Sequence, residues 1–509
     1  MDCIITIEIG TGAIRMAAFD LKGNLLGSSK GGYPTFHSKP DFSEQDPEQI
    51  FITMLYILKN FLNEKIYPAR YNVLRISFSS AMHSVLPIDK KGIPLGKAIV
   101  WSDNRAKKEA MELRNIDLGK LLYMTTGTPV HAMSPLNKIT WLRNNEPDRF
   151  GAASRFLAIK SYIIHQLTGE YVMDYSIASA TGLLNIRTLK WDQNALKYIG
   201  ITESMLPDLV PIFYSPTRLK REYRVSLGLP EDARILIGSS DGCMATLGAG
   251  VYGDGKATVT LEESGAVRII GKEMLQDEKQ RLFNYLLTEG IYVSGGPTNN
   301  AGAVFEWYAK QFGEFRKAFD LEDCINTLID EAAKVMPGSE GLIFLPYLQG
   351  ERAPIWNPNA RGVYFGLNIK HEHRHMVRAT IEGILYAFFS IGKTVEEHRR
   401  IDSLSANGTF ASFPLWTQMM ADVFDKPVHI KRGAGSDSVA VGSFLVSATE
   451  LGIYKDLEQA ARTVELPDRF IPDAGRHAVY MKHFRVFEKL GMKLKEEFEE
   501  IAALQQEDN

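Results

Sequence analysis

The chain opens on an apolar run, Ile4-Ile5-Thr6-Ile7, then turns through Gly10-Thr11-Gly12 into a second apolar stretch, Ala17-Ala18-Phe19. That pattern predicts a strand, a tight loop and a returning strand over residues 4–20. A similar unit recurs at 257–271, ATVTLEESGAVRIIG. Both loops end in Gly-Ala, and both second strands carry an arginine, Arg15 and Arg268. A repeat spaced by about half the chain suggests two related domains, although unrelated strand-turn-strand units share the same outline. Residues 47–64 have helical apolar spacing, 73–82 read as a buried strand, and 235–242 as a strand entering a glycine turn. A further strand is expected at 341–348, with helices at 374–399 and 414–424. The order is that of an α/β protein whose sheets are covered by helices. The last stretch, 489–509, reads as a charged helix with a frayed end that covers a surface.

Length changes this picture first. At 509 residues the chain exceeds one core, and a boundary is expected just after Asp241-Gly242, giving domains 1–244 and 245–509. A formal net charge of −3 gives no support for nucleic-acid binding or a polybasic membrane anchor. The three cysteines, Cys3, Cys243 and Cys324, are far apart, which argues against disulfides and structural zinc. No apolar run approaches the roughly 20 residues of a membrane helix, and no signal peptide is legible. The expected address is the cytoplasm.

Two local features could carry chemistry. Gly10-Thr11-Gly12 follows the first strand, where backbone N–H groups and small residues could cradle phosphate; taken alone, so short a loop reads first as a plain hairpin turn. Ser239-Ser240-Asp241-Gly242 ends an apolar strand, where the carboxylate could act as a general base or cap the next helix.

Two longer motifs carry a family resemblance. MSPLNKITWLRNN (133–145) matches the first signature of the FGGY sugar kinases through Met133, Pro135, Lys138, Trp141, Asn144 and Asn145. GVYFGLNIKHEHRHMVRATIE (362–382) matches the second through Gly362, Gly366, His375, Ala379 and Glu382. The chain resembles this family from Ile4 to about Tyr454. Within the family it is most similar to gluconate kinases, on FSSAMHSVLPID (78–89), WSDNR (101–105), TGTPVHAMSPLNKITW (126–141) and IKSYI (159–163).

The resemblance implies two actin-like, ribonuclease-H-like ATPase domains with ATP and acceptor in the cleft between them. The first domain would hold the acceptor, the first phosphate loop and the catalytic aspartate; the second would bind nucleotide. It implies ATP-dependent phosphorylation of a sugar or sugar acid, with D-gluconate first and xylulose or another open-chain sugar as the alternative. Asp241 matches the general base. Met82 and His83 match positions facing the sugar, and Trp101 an aromatic wall; Asp103, Arg105, His131 and Lys160 are further acceptor candidates. Lys138 is expected to form a structural salt bridge. Gly10, Thr11, Gly12 and Arg15 match the first phosphate segment, and Glu262, Glu263, Ser264 and Gly265 the second. Gly302, Gly408 and Thr409 match nucleotide positions. Mg2+ is implied, held mostly by phosphates and water, with Glu8 where the family has aspartate. A homodimer is the one macromolecular partner the resemblance suggests.

The departures lie on the nucleotide side. Gly12 replaces a hydroxyl residue, Thr409 a glycine, and Glu262-Glu263 a Gly-Thr pair. A unit charge ~5 Å from a phosphate costs roughly 3 kcal/mol at an effective dielectric of ~20. The altered loop therefore raises a reading of another class, a catalytically degenerate sugar-binding or regulatory protein.

Overall fold

The computed structural model of the chain describes residues 1–312, 320–431, 433 and 437–507. By packing, these fall into two units. The first comprises Met1–Tyr252, Ile270–Ser294 and Gly433–Val464; the second comprises Gly253–Ile269, Gly295–Arg432 and Glu465–Asn509.

In the first unit, strands Asp2–Ile9, Ala13–Asp20 and Leu25–Gly32 form an antiparallel meander. Asn72–Ser80 then pairs parallel to Asp2–Ile9, and Arg234–Leu236 parallel to Asn72–Ser80. Seven of the eight residues of Asp2–Ile9 are buried. A strand covered on both faces has no solvent side, so its sequence runs apolar instead of alternating. Helix Pro47–Phe61 packs on this sheet. Asp46 accepts from the amides of Glu48 and Gln49, proline occupies the first turn, and Ile50, Met54, Ile57 and Phe61 make the buried stripe.

Helix Asp241–Gly248 meets helix Ser438–Glu450 at two glycines. A Cβ on Gly248 would lie 1.9 Å from the Ser438 carbonyl oxygen, and one on Gly442 would lie 2.1 Å from that of Met244. Only glycine permits so close a backbone approach, and it fixes the helix that begins at Asp241.

The second unit repeats the pattern. Gly255–Leu261 and Gly265–Gly271 form an antiparallel hairpin, Ile401–Asn407 pairs parallel to Gly255–Leu261, and Val428–Ile430 extends the parallel set. Each hairpin arginine reaches back across its own hairpin: Arg15 to Glu8 at 3.0 Å, and Arg268 to the Thr260 hydroxyl at 3.0 Å. The repeat read from residues 4–20 and 257–271 is thus a repeat of structure.

The second signature serves this unit's framework. Helix His373–Glu396 begins with a capping box between Glu372 and His375. Glu382, buried in that helix, pairs with Arg378 at 2.9 Å and accepts from the Gly338 amide and the Ser339 hydroxyl. The carboxy-terminal stretch is two helices, Ala474–Lys493 and Lys495–Glu507, and the expected frayed end at 508–509 lies outside the described residues. Among the described residues no helix is long and apolar enough to cross a membrane.

Candidate functional site

Asp241 sits at the first position of its helix, half-buried. The capping duty falls to Ser240, whose side chain accepts from the Cys243 amide at 3.4 Å. Asp241 Oδ1 accepts from the Gly242 amide at 2.6 Å. The segment before it is anchored from below: Lys160 Nζ donates to the Ser239 carbonyl at 2.8 Å and lies 2.7 Å from Asp174. Burial pulls the Lys160 ammonium below the usual lysine range, and the Asp174 carboxylate opposes that shift. Lys160 therefore acts on the strand leading to Asp241.

Glu8 faces the same region. Arg15 grips it at 3.0 and 3.2 Å. Burial nevertheless pushes its carboxyl up to about 7; Arg15 pulls the other way, while Asp437 and Asp241 add to the rise.

An uncharged cavity in the first unit gathers Gly10, Thr11, Met82 and Trp101 with Tyr33, Gln45, Ser80 and Ser84. The Trp101 indole donates to the Thr11 hydroxyl at 2.9 Å, joining the expected aromatic wall to the glycine loop. Gly12 is exposed, and a Cβ there would meet nothing within 4 Å, leaving room for a ligand to approach the loop backbone.

His83 is buried and holds a left-handed backbone with φ of 66°, unusual for a residue with a Cβ. Its Nδ1 lies 2.7 Å from the Ala180 carbonyl, so that nitrogen carries the proton; Nε2, 3.2 Å from the Tyr285 hydroxyl, is left to accept. His131 Nδ1 accepts from the Met133 amide at 3.2 Å. Asp103 and Arg105 form a buried pair at 2.8 Å. Arg105 also binds Glu44 at 2.8 Å and stacks over the Phe42 ring, and Asp103 accepts from the Ser43 amide at 2.6 Å. This network clamps residues 42–45 onto 98–105 and leaves neither charge among the cavity-lining residues.

Among the described residues the salt bridge expected of Lys138 is not formed. Its Nζ donates to the carbonyls of His83, at 2.8 Å, and Val100, at 2.6 Å. Burial pushes this ammonium down to about 7, against the pull of Asp103. A lysine so deeply buried needs acceptors rather than a second charge, and these two carbonyls belong to the segments carrying Met82 and Trp101.

The second unit brings its candidates together around one loop. The Glu262 carbonyl accepts from the Gly302 amide at 2.8 Å, and the Glu263 carbonyl from the Ala303 amide at 3.0 Å. A Cβ on Gly302 would strike the Phe410 ring at 2.0 Å, and one on Gly408, whose φ is 98°, the Leu261 carbonyl at 2.3 Å. The Glu262 carboxylate accepts from the Thr409 amide and hydroxyl. Ser264 accepts through its carbonyl from the Glu262 amide. A Cβ on Gly265 would meet the Phe388 ring at 2.2 Å, so this glycine is required by packing alone. Among the described residues no group of three or more His, Cys, Asp or Glu side chains is placed to hold a metal ion.

Gln45, Tyr33 and Ser84 line the cavity without having been singled out from sequence. Gln45 lies on the two-residue strand Glu44–Gln45, too short for a periodic signal; only its pairing with Ala98–Ile99 brings it beside Trp101.

Comparison with known proteins completes the description. The models of the FGGY family of carbohydrate kinases match this chain twice, the N-terminal domain over residues 3–248 and the C-terminal domain over 259–451. The gluconokinase of Bacillus subtilis (strain 168) is 35% identical over 507 residues, covering 99% of this chain and 98% of that protein. Among solved structures, a ligand-bound xylulose kinase from Lactobacillus acidophilus superposes with a TM-score of 0.92 at 30% identity, covering 98% of this chain and all of that one. A gluconate kinase from the same organism gives a TM-score of 0.90 at 31% identity, covering 97% and 98%. With both family models matched in order, and full-length likeness at this identity, the chain belongs to the FGGY family of carbohydrate kinases.

Proposed function

We propose that this chain transfers the γ-phosphoryl group of ATP to the C6 hydroxyl of D-gluconate, giving 6-phosphogluconate and ADP. The observation that carries the acceptor is the likeness to gluconokinase, at 35% identity against 28% for a xylulose kinase of Staphylococcus epidermidis. Backbone superposition is nearly even, at 0.90 and 0.92. Identity is the better guide, because acceptor choice resides in side chains on a shared fold.

In this reading Asp241 accepts the proton of the attacking hydroxyl as the O–P bond forms and the bond from phosphorus to the ADP oxygen breaks. Trp101 and Met82 flank the polyol chain. Because the cavity lining carries no charge, the hydroxyls lie inside and the carboxylate faces outward. The glycine loop 10–12 and Arg15 meet phosphate from the first unit, and the loop at 262–265 with Gly408-Thr409 meets nucleotide in the second. Mg2+ fits a site of this kind: it keeps phosphate and water ligands and needs only one or two carboxylates, of which Glu8 would offer one. When bound, it neutralises triphosphate charge.

Glu262 favours a second reading, in which the chain binds sugar without turnover. A coupled ADP-release assay over gluconate, xylulose, ribulose and glycerol separates the two. The proposal expects gluconate to give the highest kcat/KM. Preferred turnover of xylulose would replace the acceptor, and no turnover of any would favour the binder.

A further inference from the structure

We propose that Gln45 is a further acceptor-recognition residue, whose side-chain carbonyl accepts a hydrogen bond from one hydroxyl of the polyol chain; this rests on the kinase reading above and adds to it. Gln45 is 4% exposed and lines the uncharged cavity together with Thr11, Met82 and Trp101. Its Nε2 donates to the Thr11 carbonyl and, at 2.9 Å, to the Thr35 hydroxyl. The Thr11 carbonyl settles which end of the amide faces it, since a carbonyl oxygen turned there would meet another lone pair. Both amide hydrogens are thereby spent. Oε1 has no donor among the described residues and is not sealed from solvent, which leaves it open to a donor group on a ligand in the cavity.

The side chain is held for this task. Its strand pairs with Ala98–Ile99 just before Trp101, and the Asp103–Arg105–Glu44 network clamps the flanking backbone. Oε1 can only accept. It therefore favours a ligand group that donates, a hydroxyl, over a keto or carboxylate oxygen at the same place. Gln45 also links acceptor to phosphate loop, because Thr11 receives its amide on the backbone and the Trp101 indole on the hydroxyl.

The test is calorimetric binding, which needs no turnover. Wild type and Gln45→Met are titrated with gluconate, with xylulose and with monodeoxy analogues of whichever binds tighter. A preference for xylulose would count against gluconate as acceptor while leaving the Gln45 comparison intact. One analogue should bind wild type about tenfold more weakly than its parent, the loss expected for one neutral hydrogen bond, and that penalty should vanish in Gln45→Met. Nucleotide affinity should fall less than acceptor affinity, since Gln45 reaches the phosphate loop only through the Thr11 carbonyl. The same penalty in both proteins, or a loss of nucleotide affinity equal to that of acceptor, would overturn the assignment. Should Gln45→Met not fold, the wild-type panel still decides: if no single deoxygenation weakens binding several-fold, no hydroxyl is read at this position.

Discussion

The Glu262 carboxylate accepts two hydrogen bonds from Thr409, from its amide at 3.2 Å and its hydroxyl at 3.0 Å. Each residue completes the other: glycine at 409 would lack the hydroxyl, and glycine at 262 the acceptor. The pair closes one charge onto the 408–409 corner. Glu262 is exposed, so solvent screens it and its effect on phosphate drops from the roughly 3 kcal/mol of a shielded charge to ~1 kcal/mol. Glu262→Gln should therefore tighten ATP by about fivefold at low Mg2+, with the gain shrinking at high Mg2+. Titration of ATP into both proteins at two metal levels measures this. Equal affinities throughout would place the charge out of reach of phosphate.

Lys138 ties the two wall segments of the cavity by their backbones. Lys138→Met removes both bonds and leaves the His83 carbonyl unsatisfied in the interior, at a cost of roughly 1–3 kcal/mol if it finds no water, while the Val100 carbonyl keeps the Asp103 amide at 3.1 Å. Chemical denaturation should show a loss of that order. Acceptor KM should rise while ATP KM changes little. A rise confined to ATP KM would contradict this role.

Glu8 gives a pH dependence of definite sign. Its folded pKa, about 7, lies above the ordinary value of 4.5, so the folded chain holds more protons than the unfolded one between these limits. Its contribution to stability is present at the acid end and falls as pH rises through that window. The full shift corresponds to about 3 kcal/mol. Glu8→Gln cannot ionise. In metal-free buffer its stability relative to wild type should therefore climb from pH 4.5 to 7. A flat difference would mean that Glu8 is already ionised across the range.

These tests also mark what the sequence made legible. The hairpins at 4–20 and 257–271 could be read because a buried strand shows itself as a continuous apolar run broken by glycine. Helix Pro414–Phe424 has the bounds its periodicity predicts. Long-range pairing was not legible. Nothing local says that 270–294 and 433–464 pack with the first 252 residues, or that Gln45 reaches Trp101. Charge alone did not say where a side chain would point: Asp103 and Arg105 pair with each other in the interior, and Lys160 pairs there with Asp174, because a buried charge must find its partner inside the chain. Even the Asp241 cap was decided by a neighbour, since Ser240 takes the amide that a capping aspartate would need.

Asp241 is proposed to carry phosphoryl transfer to gluconate, and product analysis of wild type beside Asp241→Asn shows whether it does. The asparagine keeps shape and loses proton acceptance, so turnover should fall at least ~10²-fold, as expected for loss of a general base, with ATP affinity unchanged. Phosphorus NMR of the wild-type reaction should show a phosphate monoester on C6 of gluconate, formed in step with ADP. Formation of that ester by Asp241→Asn at near the wild-type rate, or its absence with wild type, would contradict the account.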